Sequence, residues 1–90
     1  MSKYPRVESV QALPAKRLRV TFVNDEVRVY DCMPLLDDPA FQPLHNDAFF
    51  RNVSPERHGY AVVWNDEVDL AESELWLNGA PEQDASVGPR

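Results

Sequence analysis

The chain has a single cysteine, no long apolar run and fewer bases than acids. The lone thiol, Cys32, has no partner for an internal disulfide, which excludes a disulfide-built secreted scaffold and favours a reducing compartment. The first residues, Met-Ser-Lys-Tyr-Pro-Arg, lead into polar sequence without the apolar core of a signal peptide. Nowhere do about 18 apolar residues run together, as a membrane-spanning helix would need. A cytoplasmic protein with no membrane contact is therefore expected. Nine Lys and Arg against fifteen Asp and Glu give a net charge of −6, which disfavours general attraction to phosphate backbones or anionic membranes. Recognised metal, phosphate-loop and nucleophile spacings are missing too, so no cofactor, metal or catalytic residue is assigned.

What remains is a chain that should fold. Apolar residues make up 43% and charged residues 27%, too apolar for wholesale disorder, and 90 residues allow one small core. From Arg6 to Leu13 the pattern suits an edge strand after Pro5, and Pro14-Ala15-Lys16 reads as a turn. Arg17–Val23 alternates, with Leu18, Val20 and Phe22 on one face and Arg17, Arg19 and Thr21 on the other, the period of a half-buried strand. Asn24-Asp25-Glu26 then turns the chain into Val27–Tyr30, whose core-facing parity is open. Such a loop needs a left-handed residue, and Glu26 in that place would carry strain.

Asp31 and Pro34 are helix-start residues for a short turn over Met33–Asp38, and a further turn buries Phe41 and Leu44. The aromatics of Ala48–Val53 favour a strand, and Tyr60–Trp64 is a well-buried one. The repeated Asn-Asp-Glu-Val at 24–27 and 65–68 reads as shared turn chemistry. Asp69 or Ser73 is a candidate cap for a last helix that stops at Asn78-Gly79. The expected product is an α+β domain over residues 1–79, with an antiparallel sheet of about five short strands packed on two or three short helices. Residues 80–90 have no apolar period and are expected to be a disordered tail.

Asp31, Asp37, Asp38, His45 and Asp47 form the densest cluster of acids and histidine. Their spacing fits neither an EF-hand nor a zinc site, and capping around short helical turns accounts for them. Cys32 with His45 or His58 lacks the orienting group and oxyanion site that nucleophilic catalysis requires. Lys16, Arg17 and Arg19, with Arg28, form a basic strip on the outward sheet face, with Tyr30 as its one candidate for stacking a base. Leu75, Trp76 and Leu77 cannot all face inward from one short helix, so an apolar side chain is left at the surface. Arg17, Arg19, Arg28 and Trp76 are accordingly the candidate partner-binding residues.

Several pieces taken in order resemble the small bacterial family catalogued as domain of unknown function 2442. They are Pro5-Arg6-Val7, Leu18–Phe22, Val29–Leu36, Phe49–Val53, Val63-Trp64 and Val68-Asp69-Leu70, spread over residues 4–78. Glu26, Asn65 and Glu67 stand where that family usually has glycine, proline and glycine, so the departures fall in turns. The resemblance implies a compact α+β domain and no established activity. It also implies a setting in which some members carry a following helix-turn-helix domain, for which 90 residues leave no room, and others neighbour a second small protein as in a toxin–antitoxin pair. A non-enzymatic bacterial protein-interaction module, antitoxin-like or regulatory, is therefore expected. A nucleic-acid-associated regulator using the basic sheet face is the alternative, and monomer and homodimer are both open.

Overall fold

A computed structural model of the chain describes residues 4–82. Strands β1 (Val7–Leu13), β2 (Arg17–Phe22) and β3 (Val27–Asp31) form an antiparallel meander, and β7 (Ala80–Pro81) adds to the free side of β3. A second antiparallel sheet holds β4 (Ser54–Pro55), β5 (Ala61–Val63) and β6 (Asp69–Ala71). Two 3₁₀ segments, Met33–Asp37 and Pro39–His45, and the short helix α1 (Asp47–Phe50) lie between the sheets in sequence, and α2 (Glu72–Asn78) follows β6. The α+β class is as expected, with the strands divided between two sheets.

The alternation in β2 sets the inner face. Leu18, Val20 and Phe22 are fully buried, and the register places Leu18 opposite Ala12 and Tyr30. Residues opposite one another in an antiparallel pair share a face. The parity left open in β3 is thereby settled: Tyr30 faces the core and Val29 faces outward. Val62, Leu70 and Leu75 come from the second sheet and α2, Leu44 and Phe50 from the intervening segments, and all join the same core. Trp64 closes it by donating its Nε1 proton to the Phe50 carbonyl at 2.9 Å.

The turns explain themselves locally. In the β2–β3 hairpin, Phe22 N–H bonds to Glu26 O and Asp25 N–H to Phe22 O, making a three-residue loop whose left-handed position is Asp25, φ 71°. The expected strain at Glu26 is thus absent, because the loop begins one residue earlier and uses an aspartate, which tolerates this conformation. Both Asn-Asp-Glu-Val copies use one device: Asn24 Oδ1 accepts from Glu26 N–H, and Asn65 Oδ1 accepts from Glu67 and Val68 N–H.

Three expectations need correction. Ala48–Phe50, the first half of the stretch expected as a strand, belongs to α1 (Asp47–Phe50), because Asn46 Oδ1 accepts from Phe49 N–H and caps a turn there. Neither Asp69 nor Ser73 caps α2; the cap position is Ala71, with no side-chain bond. The sheet also continues past the boundary expected at residue 79, since Ala80 pairs with Val29 and Pro81 with Arg28. The remainder of the expected tail, 83–90, lies outside the described residues.

Gly79 permits that last pairing. Its φ of −80° is open to any residue, but a Cβ there would stand 2.5 Å from the Leu75 carbonyl oxygen and 3.1 Å from Arg28 Cβ. The close approach, not a special dihedral, calls for glycine.

Candidate functional site

The candidate basic strip divides. Arg17 and Arg19 lie on the outward face of β2, both exposed. Arg28 lies opposite Val20 and therefore shares the inner face. It is not part of the strip: its guanidinium stacks 3.7 Å above the Trp76 ring, Nη1 donates to Trp76 O at 2.8 Å, and Nη2 is 3.6 Å from Glu26. Packing against α2 draws it inward, as stacked arginines are drawn onto aromatic faces.

Trp76 is likewise occupied. Its ring meets Phe22 edge-on, with centroids 5.2 Å apart and planes at 88°, while Arg28 covers its face. The apolar side chain that α2 leaves outside is Leu77, 62% exposed. A single exposed leucine is ordinary on a protein surface. The tryptophan expected as an anchor therefore braces the core instead.

On the outward face each arginine has an acid beside it, and Arg19 forms an ion pair. Arg19 pairs with Glu82, and Arg17 stands directly across from Asp31 while donating its Nε proton to Pro14 O. Around them are Gln11, Thr21, Val27, Val29 and Ala80, none of them buried. This is a broad, uncovered and nearly charge-balanced sheet face.

The acid and histidine cluster is dispersed among structural tasks. Asp31 Oδ1 accepts from Met33 N–H and Asp38 Oδ1 from Ala40 N–H, each holding the start of a 3₁₀ segment. His45 Nε2 donates to Leu36 O, and Asp47 takes Lys16. Among the described residues no three such side chains gather as metal ligands.

Cys32 is fully buried, and desolvation, with the negative charge of Asp31, pushes its thiol up to about 12. A thiol held neutral is a poor nucleophile. Tyr30 is raised as well, first by burial and then by its 2.7 Å hydrogen bond to Glu74. Both groups prefer their neutral form in the fold, so the stability they contribute is complete below their unfolded values and declines as pH rises through the folded ones. Alkaline titration followed by tryptophan fluorescence should show stability falling above about pH 9, and iodoacetamide should modify Cys32 only as the protein unfolds.

A feature that sequence patterning does not reveal lies at the β1–β2 turn. Ala15 and Lys16 are both left-handed, φ 64° and 59°, with no glycine between them. Each such residue costs about 1–2 kcal/mol. The turn is held by Cys32 N–H on Lys16 O and by the Lys16 ammonium, which meets Asp47, reaches His45 O and lies 5.4 Å above the Phe50 ring. Asp47 is held below the usual carboxylate range by Lys16 first and further by Arg51. Ala15→Gly should stabilise the protein by about 1 kcal/mol, net of the extra freedom of the unfolded chain, read as a higher urea midpoint with unchanged slope.

No helix among the described residues is long and apolar enough to cross a membrane. No curated protein matches the chain. A solved structure from Nitrosomonas europaea ATCC 19718, named a "putative DNA binding protein", matches with a TM-score of 0.69 and 29% identity over 94% of this chain. The chain spans 56% of the length of that protein. Residues 7–81 match the family described as Protein of unknown function (DUF2442), and the chain belongs to that family.

Proposed function

We propose that the chain is a non-catalytic bacterial module that binds a protein partner through the outward face of its four-stranded sheet, around Arg17 and Arg19, in a regulatory or antitoxin-like role. The observation that supports it most is the Arg19–Glu82 ion pair, with Asp31 across the register from Arg17, beside half-exposed Val27 and Val29. A phosphate backbone requires uncompensated cations, whereas protein interfaces combine apolar area with matched charges. The high Cys32 thiol supports the non-catalytic part of the reading.

The second reading, a nucleic-acid-associated regulator, draws on the name of the structural neighbour. That name belongs to a chain of which the matched part is little more than half. Anisotropy titrations with labelled single- and double-stranded DNA and RNA at low salt separate the two. The protein-binding reading expects no salt-sensitive binding. Binding that falls with salt and disappears in Arg17→Glu/Arg19→Glu would establish the second reading instead.

A further inference from the structure

A cleft lies between the Pro14-Ala15-Lys16 turn and α1, beside Arg17 at the start of β2. Leu13, Pro14 and Ala15 line one side and Asp47, Phe50 and Arg51 the other, with Lys16 between them. It encloses about 440 Å³, within the range of sites that take a ligand group. Its wall is the strained pair Ala15 and Lys16, and left-handed non-glycine residues concentrate where a fold holds a functional surface in place.

The charge inside the cleft is unbalanced. One carboxylate, Asp47, serves both Lys16 and Arg51. Lys16 is committed, with its side chain 13% exposed and its ammonium on Asp47 and His45 O. Arg51 is exposed and makes no hydrogen bond or ion pair through its guanidinium to the described residues. A protein of net charge −6 thus presents an uncompensated cation beside an apolar wall.

We propose that this cleft receives an acidic side chain from an extended segment of a protein partner, its carboxylate meeting Arg51 and its apolar neighbour lying against Leu13 and Pro14. The complement of an exposed guanidinium beside a leucine and a proline is a carboxylate attached to apolar chain, and the fork of donors on arginine matches a carboxylate bidentately. The partner segment is held by one charge and one apolar contact, with the turn already rigid before it arrives. This site rests on the protein-binding reading and adds a contact at Arg51, next to Arg17, which stands opposite Leu13.

The test is selection of a displayed random heptapeptide library on the whole protein and, in parallel, on Arg51→Glu. The replaced side chain is at the surface, so folding should survive and is checked by the thermal midpoint. The expected result is a pool enriched in Asp or Glu next to Leu, Val or Ile from the wild type, with that enrichment lost on Arg51→Glu. A selected peptide, measured by anisotropy, should bind about tenfold or more weakly to Arg51→Glu and be largely retained by Arg51→Lys. Replacing its acid by the amide should cause a similar loss. Enrichment without an acidic bias, or one unchanged by Arg51→Glu, overturns the cleft assignment and leaves the protein-binding reading standing. Equal competition by free phenylacetate or inorganic phosphate also overturns it, in favour of a small-anion site. No enrichment on either protein overturns the cleft assignment, while the sheet-face reading is decided by its own tests.

Discussion

Phe22→Ala should destabilise the protein by about 4 kcal/mol, the largest loss expected from any single core truncation. Phe22 is fully buried and is the largest such side chain. Its ring sits edge-on to Trp76, whose opposite support is the Arg28 guanidinium, itself bonded to the Trp76 carbonyl. Removing the ring leaves a cavity at the joint between the four-stranded sheet and α2, and takes one side of the Trp76 packing with it. Domains of this length have only about 5–13 kcal/mol in total. The loss should appear in urea unfolding as a midpoint shift at constant slope, accompanied by altered Trp76 fluorescence. Val23→Ala, next in sequence but 52% exposed, should change stability by no more than about 0.5 kcal/mol.

Gly59→Ala should cost about 3 kcal/mol for a different reason. The residue has φ 83°, a region that side chains with a Cβ occupy at a penalty of about 1–2 kcal/mol. The added carbon would also stand 2.8 Å from Arg6 Cβ and 2.9 Å from the Val7 carbonyl oxygen, and two stretches of main chain would have to part. Those stretches carry the link between the sheets, where Val7 N–H donates to Gly59 O at 2.8 Å. The surrounding loop is otherwise well tied: Glu56 Oε1 accepts from His58 and Tyr60 N–H, and Gly59 N–H bonds to Glu56 O. The substitution should therefore act at the junction rather than unravel the loop. Hydrogen exchange should report it as faster exchange of the Val7 amide, in addition to the lower midpoint.

Much of this fold could be read from residue pattern because the decisive signals are local. The β2 alternation states which side of the sheet is buried, and the two asparagines of Asn-Asp-Glu-Val state where turns close. Asp31 holds the start of the Met33–Asp37 segment by accepting from Met33 N–H, although Cys32 rather than Asp31 occupies the cap position. The misread elements are those whose signal is short or tertiary. Four residues of α1 cannot display a helical period, and their two phenylalanines carry strand propensity; the one usable sign was Asn46, three residues before Phe49. Two residues of β7 have no period at all, and their pairing depends on the close approach that Gly79 allows.

The candidate site shows the same division. Arg17 and Arg19 stand on the outward face because β2 alternates, so their placement follows from sequence. Charge and size alone group Arg28 and Trp76 with them, yet each is the other's packing partner, which follows from how α2 docks on β3. Glu82, which balances Arg19, belongs to a stretch that composition alone assigned to a tail. The strained Ala15-Lys16 turn left no mark in the sequence beyond the proline before it, since neither residue is a usual occupant of a left-handed position.

The outward sheet face of this DUF2442 domain is the surface proposed to meet a protein. Site-specific photo-crosslinking from Thr21, half-buried between Ser9 and Val27 on that face, tests it most directly when carried out in the native cell with the whole chain. The expected result is a crosslink to one defined protein, lost when Arg17→Glu and Arg19→Glu are introduced, and a stable complex when the two purified wild-type proteins are mixed. Crosslinks carried by nucleic acid, or none above those from Asp66, in the β5–β6 turn of the other sheet, would rule it out.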